Sequence, residues 1–421
     1  MIHRRLLKAI QGFALAAGVC VLHTGLLHSD DQIVKYIDPR ESEGSSAAVV
    51  VPDLPLVHTA QFLPVDASGK LVGKGQSAAQ FESVFDRLHD TLQLSGSGAG
   101  QIVKLHVVAA DDATAAEVRR MLSKRFAGSD AKPAVTYVVG KLRHPDALVA
   151  IDAVVRTPVG ARGDKGQSAT RAGNSEKFAA LSTLPPGPKV YVSGQAEKGT
   201  TIGEMTRRTM ESLGATLGHL GLSTKDVVQI KSFIGPISAV DEAEREIAAF
   251  FKNQQLVPPM VFVEWTTSPS IEIELIAGNG KSEPGTRDSV EFITPPGMTA
   301  SPVYSRVARM AAGPTIYVSG LYGASSVHGE AETLEIFAQL GKLLEKSGSD
   351  FRHLVKATYY VSTDEAGAKL NELRPRFYDP KRPPAASKAP VAGTGLGGKT
   401  ITLDMIAASK ESRAGDGKRD E

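Results

Sequence analysis

IYVSGLYG (Ile316 to Gly323) followed by HLVKATYYV (His353 to Val361) repeats an earlier pair, VYVSGQ (Val190 to Gln195) and DVVQIKSFI (Asp226 to Ile234). A fainter copy runs from HTAQFLPVDASGKLVG (His58 to Gly73) to QIVKLHVVA (Gln101 to Ala109). Each copy reads as a short strand ending near a small residue, an amphipathic helix, a Val-rich strand, a second helix and a last strand introduced by Pro-Ala or Pro-Pro. Leu92 to Val103, Leu217 to Val228 and Leu344 to Val355 are each separated by 11 positions, a register that unrelated segments would not keep. Three like modules in one chain can close on one another as a covalent trimer.

With 421 residues the chain exceeds one ordinary core and accommodates three modules of roughly 100 residues plus tails. Composition shifts place a leader at 1–28, linkers at 29–54, 158–177 and 278–299, modules at 55–157, 178–277 and 300–408, and a charged tail at 409–421. Helical spacing predicts a buried stripe of Phe81, Val84, Phe85, Leu88 and Leu92 in the first copy. Met205, Leu213, Leu217 and Leu220 form it in the second, and Phe337, Leu340, Leu343 and Leu344 in the third. The closing strands alternate with period two: Ile271, Ile273 and Leu275 share one face, Glu272 and Glu274 the other. The expected class is α+β, with helices on one face of each sheet and the three sheets covering one another as a central barrel.

Charge is nearly balanced at +2, so no global field recruits nucleic acid, and no basic and aromatic groove is visible. Arg4, Arg5 and Lys8 precede an uncharged run, Ala9 to Leu27, which has the grammar of export: a signal peptide, or a membrane tether through residues 9–27. The expected location is therefore periplasmic, extracellular or membrane-anchored. Cys20, the single cysteine, lies within that run, so disulfides, thiolate catalysis and cysteine-based metal sites are excluded for the modules. The ten histidines include no i, i+4 pair on an expected helix, and neither a metal nor a cofactor is expected. GTGLGGKT (Gly393 to Thr400) fits a phosphate-loop pattern by letter, but ITLDMIA (Ile401 to Ala407) after it reads as a strand where a helix is required.

KSGSDFRHLVKATYYVSTDEAGAKLNELRPRFYDPKRPPAAS (Lys346 to Ser387) resembles the RidA/YjgF family, also labelled L-PSP endoribonuclease. VYVSGQ with DVVQIKSFI is similar to the same family, and PAVTYVVGKLRHPDALVAIDAVV (Pro133 to Val155) carries the likeness in the first copy. The resemblance implies chorismate-mutase-like modules and, with three of them fused, an intramolecular pseudo-trimer that is monomeric as a chain. It also implies a ligand cleft at each module interface.

Deaminase members of the family hydrolyse enamines or imines, and their Pro-Ala-Arg-Ser motif supplies an arginine that grips the substrate carboxylate as a bidentate fork. Matching that motif puts Val135, Met260 and Ala386 at the arginine position, so the resemblance also implies that the grip is absent from all three copies. The family glutamate on the closing strand matches Glu272 alone, with Ala150 and Thr402 in the other copies, and the family tyrosine matches Tyr304 alone. Glu272 and Tyr304 are therefore the candidate catalytic pair, and Arg306, Met260 and Gln195 the candidate substrate-binding positions. Arg306 follows Tyr304 by two residues and shares its face if that stretch is extended. Two readings remain open, a small metabolite bound without turnover, or residual deamination of a 2-aminoacrylate-like or 2-iminobutanoate-like substrate by a hydrolase; endoribonuclease activity, which the L-PSP label alone suggests, ranks last.

Overall fold

The computed structural model describes residues 33–157, 177–279, 288–324 and 329–410. The expected leader with its candidate tether, most of the 158–177 linker and the tail beyond residue 410 lie outside the described residues. Among the described residues, no helix is long and apolar enough to cross a membrane.

The described residues begin with an antiparallel hairpin, β1 (Lys35–Arg40) and β2 (Ser45–Val51). The first repeat follows as β3 (Leu56–Thr59), α1 (Ser77–Gln93), β4 (Ile102–Ala109), α2 (Asp112–Arg125), β5 (Ala134–Val139) and β6 (Val149–Arg156). The second supplies β7 (Leu181–Leu184), β8 (Lys189–Gln195), α3 (Ile202–His219), β9 (Val227–Ile234), α4 (Val240–Phe250), β10 (Met260–Glu264) and β11 (Ile271–Ala277). The third supplies β12 (Val290–Ile293), β13 (Val307–Met310), β14 (Thr315–Val318), α5 (Glu330–Lys346), β15 (Leu354–Val361), α6 (Asp364–Leu373), β16 (Ala385–Pro390) and β17 (Ile401–Ala408).

Each repeat packs two helices on one sheet face, and the predicted stripes are the buried ones. Phe81, Val84, Phe85, Leu88 and Leu92 of α1 meet Ile151 and Ala153 of β6 in one cluster. Met205, Leu213 and Leu217 of α3 meet Ile271, Ile273 and Leu275 of β11 in another. Side-chain caps fix the starts of three helices: Asp111, Thr201 and Thr363 accept from backbone N–H groups in the first turns of α2, α3 and α6.

Strand pairing departs from the expected modules. β2 pairs with β14, placing Val49 opposite Tyr317, although β3 is its neighbour in sequence. β7 pairs with β3, Leu184 opposite Leu56, and β13 pairs with β8, Val307 opposite Val192. The sheets therefore run β5-β4-β6-β3-β7, β10-β9-β11-β8-β13-β12 and β1-β2-β14-β17-β15-β16. Each of the first two sheets takes its last strands from the start of the following repeat; the third takes them from the hairpin that precedes the first repeat.

Residues 29–54 are consequently not a linker, because they hold β1 and β2, and 278–299 holds β12. Ser45 to Val51 is a small and β-branched run whose Ala48 and Val49 are fully buried, a strand signal that the polar residues before it obscure in composition.

Two apolar clusters draw on all three sheets. One includes Val49, Leu56 and Tyr191, the other Val108, Phe233 and Tyr360. Along β6, Val154 belongs to the first, Ala150 to the second, and Asp152 lies between them. That intervening level is a belt of charge closed off by apolar side chains.

The GTGLGGKT run leads into β17, not into a helix. Val139 N–H donates to Gly393 O at 2.8 Å, and Gly395, at φ +75°, lies so close to β5 that an added Cβ would stand 2.4 Å from Tyr137 Cβ. The glycines let the third repeat's loop dock on the first repeat's edge.

Candidate functional site

The charged belt is built from equivalent positions of the closing strands: Asp152 on β6, Glu274 on β11 and Asp404 on β17. The Val-rich strands face them with Lys104 and His106, Gln229 and Lys231, and Lys356 and Thr358. These side chains, with His58 and Tyr317, line a cavity of about 60 Å³. Pairing passes between repeats. Lys104 Nζ lies 2.8 Å from Asp404 Oδ1 and donates to Thr136 Oγ1 at 2.7 Å, while Lys356 Nζ donates to Glu274 Oε2.

The third carboxylate is served differently, because Gln229 stands where the other repeats have Lys104 and Lys356. A relay reaches Asp152 instead. Lys231 Nζ donates to Tyr360 OH at 2.6 Å, so the phenol proton points to His106 Nε2 at 3.1 Å, and His106 Nδ1–H donates to Asp152 Oδ1 at 3.1 Å. Burial would raise the Asp404 pKa, but Lys104 and Lys231 outweigh it and hold the carboxyl well below its usual range. Burial, with the Lys231 charge behind it, lowers the His106 pKa, and burial alone pulls His58 down to about 4. Three lysines thus face three carboxylates with both imidazoles neutral, and the belt balances.

Outside the belt, each pair of neighbouring repeats meets where the first strand of one passes the Pro-containing motif of another. Gln61 N–H donates to Met260 O at 3.0 Å, and Gly320 N–H to Val135 O at 2.9 Å. At the third such meeting Ser193 N–H donates to Arg306 O at 2.9 Å, while Ser305 N–H donates to Pro384 O, also at 2.9 Å.

That third cleft collects Glu272, Tyr304 and Arg306. Glu272 is part-exposed and rests on Gly194, where a Cβ would stand 1.9 Å from its Oε1, so any larger residue would push the carboxyl out of this position. Desolvation raises the Glu272 pKa to about 7, partly offset by the hydroxyl of Ser387 and by the charges of Lys356 and Arg306, while the Glu274 carboxylate adds to the rise. Its Oε1 has no hydrogen-bond partner among the described residues. The Arg306 guanidinium lies over the Tyr304 ring at 5.0 Å, so these two do share a face. Tyr304 in turn packs against the cluster containing Ala386.

Two sequence candidates are elsewhere. Gln195 Nε2 donates to Thr216 Oγ1 on α3 at 3.0 Å, so the side chain is directed beneath the helices, opposite to the Gly194 face. Met260 belongs to the apolar core under α3 and α4, and only its carbonyl reaches an interface, the one with the first repeat. Neither joins Glu272, because successive strand residues face opposite ways and the apolar thioether is favoured in the helix-covered layer. The residues that sequence reasoning missed are Gly194, Ser387, Glu274 and Lys356. Their signals were present in VYVSGQ, the terminal serine of PPAAS, the second glutamate of β11 and the lysine of HLVKATYYV.

A family model described as Endoribonuclease L-PSP matches the chain twice, at residues 44–157 and 297–408. Among solved structures, the chain is similar to a Rid-family protein of unknown function from Yersinia pestis. Identity is 23%, with 29% of this chain and 98% of that one covered and a TM-score of 0.27. A YjgF/YER057c/UK114-family protein from Mycobacterium tuberculosis shares 22% identity, covering 25% of this chain and 86% of its own, with a TM-score of 0.21. A putative endoribonuclease from Thermotoga maritima shares 25%, covering 24% and 84%, also with a TM-score of 0.21. No curated protein matches the chain.

Proposed function

Because the chain belongs to the endoribonuclease L-PSP (RidA/YjgF) family, we propose that it is an intramolecular pseudo-trimer of three RidA-like modules that binds a small, uncharged metabolite between its second and third modules. One observation carries this reading: Glu272, a carboxyl poised near neutrality, is met by the hydroxyl of Ser387, whose preceding residue Ala386 holds the motif position where the family resemblance places an arginine. An anionic ligand there would lack a buried partner, a loss of about 2–5 kcal/mol, and would meet the Glu272 carboxylate besides. The nearest guanidinium, that of Arg306, is held over the Tyr304 ring and donates to Thr299 O at 3.4 Å. A neutral ligand with one polar end satisfies Glu272 Oε1 and can lie against Tyr304.

Calorimetry with 2-oxobutanamide and 2-oxobutanoate tests the charge preference. The amide should bind at least about tenfold more tightly, near 1.4 kcal/mol, and tighter binding of the keto acid would sink the reading. Light scattering of the chain should give a monomer.

The raised Glu272 pKa also favours a second reading, residual deamination, since a group titrating near pH 7 is suited to acid and base steps on an enamine or imine. Ammonia release from freshly generated 2-aminoacrylate, abolished in Glu272→Gln, would establish it; no release above buffer would remove it. Arg4, Arg5 and Lys8 ahead of the uncharged Ala9 to Leu27 run support export or tethering, so the ligand would be met outside the cytoplasm or at a membrane surface.

A further inference from the structure

Ser387 stands between two carboxylates. Its Oγ donates to Glu274 Oε2 at 2.8 Å, the oxygen that also accepts from Lys356 Nζ, and it lies within hydrogen-bonding reach of Glu272. A serine hydroxyl has one proton to give, so it cannot serve both anions at once. Glu272 Oε1 and Glu274 Oε1 each lack a partner among the described residues, so neither carboxyl is saturated. Ser387, Glu274 and Lys356 are 4%, 2% and 5% exposed, which leaves little room for bulk water to compete.

We propose that Ser387 is a positioning residue that couples the proton on Glu272 to the buried Lys356–Glu274 pair, giving the cleft two alternative hydrogen-bond arrangements. In the first, protonated Glu272 donates its O–H to Ser387 Oγ, and the Ser387 hydroxyl donates to Glu274 Oε2. In the second, Glu272 has given its proton to ligand or solvent, and the Ser387 hydroxyl has turned to donate to the new carboxylate. Lys356 then holds Glu274 Oε2 alone. One proton leaves Glu272, and Ser387 and Glu274 keep the protonation they had.

The groups facing Glu272 favour opposite arrangements. Glu274, on its own strand, opposes ionisation; Lys356 on β15 and Arg306 ahead of β13 favour it. Lys231, opposite Glu274 on β9, is committed to Tyr360 and the belt. The device belongs to this cleft alone. At the meeting of the third and first repeats, Thr136 occupies the serine position and accepts from Lys104, and Thr402 replaces Glu272. Between the first and second, Val261 and Ala150 occupy the two positions.

This inference rests on reading that cleft as the working site, but its test needs no ligand. In the whole chain labelled with carbonyl-13C glutamate at the side chain, the Glu272 resonance is the one missing from Glu272→Gln, and its titration midpoint is read by NMR. Ser387→Ala should raise the midpoint by about one pH unit or more, because the ionised form loses a donor, and Ser387→Thr should restore it. An unchanged midpoint in Ser387→Ala, or a Thr variant that melts like wild type yet keeps the Ala midpoint, overturns the coupling. Either result leaves the amide and keto-acid binding comparison standing on its own.

Discussion

The Lys104 ammonium and the Asp404 carboxylate, 300 positions apart in the chain, lie 2.8 Å apart in a belt enclosed by apolar side chains. The pair joins the first repeat to the third, and Lys356 with Glu274 joins the third to the second. Removing Lys104 would leave the buried Asp404 carboxylate with only the more distant Lys231 ammonium at 3.9 Å, and removing Asp404 would leave Lys104 charged against neutral acceptors.

Lys104→Met should therefore destabilise the chain by about 3–5 kcal/mol in urea unfolding. Lys104→Met with Asp404→Leu should recover most of that loss, since the buried charge is then gone. If the double variant is as unstable as the single, the cost lies in packing and not in the pair.

Acid should act on the fold through buried groups that titrate in opposite senses. His58 is held neutral down to about pH 4, whereas an unfolded histidine takes a proton near 6.5. The unfolded state therefore binds the extra proton in that window, and the His58 contribution to stability falls by about 3 kcal/mol as pH drops from 6.5 to about 4, a loss opposed by Glu272, whose carboxyl at about 7 takes its proton in the folded state first. Below that, the depressed Asp404 continues the loss, because its contribution is present above the unfolded carboxyl value and disappears as pH falls towards the folded one. His58→Gln should remove the His58 loss, so that between pH 6.5 and 4 the variant gains stability relative to wild type, measured as unfolding free energy against pH; an unaltered slope would dissociate it from His58.

Val49 and Tyr317 face each other across β2 and β14. In a Cys20→Ser background, Val49→Cys with Tyr317→Cys should form a crosslink within one chain, visible on a non-reducing gel as a faster monomer. A covalent dimer instead would mean that the exchange takes place between chains.

Gly395→Ala should cost more than about 1 kcal/mol, because φ is +75° and the new methyl would collide with Tyr137. ATP should raise the melting temperature of neither the wild type nor the variant, consistent with a docking loop; a shift in the wild type would revive the phosphate reading.

Helix stripes and closing-strand faces were legible because both obey local periods, 3.6 and 2, that a sequence displays directly. Glu272 and Glu274 were thus placed on the face away from the helices, and Tyr304 with Arg306 on one edge. Partner choice was not legible. Nothing local in Ser45 to Val51 distinguishes β14 from β3 as its neighbour, since both are short apolar strands. Gln195 and Met260 were misassigned because alternation tells that neighbours oppose one another without telling which of them the helices cover. The belt stayed hidden for a related reason: Lys104 and Asp404 each read as an isolated charge on an apolar strand.

The strand exchange fixes an order of events at the ribosome. β1 and β2 are synthesised first, yet β14, the strand beside β2, is made only with the last repeat. At ~5–20 residues per second that interval is on the order of ten to fifty seconds. Throughout it β2 has β1 on one edge and nothing on the other, so that open edge must be sheltered until β14 has been made.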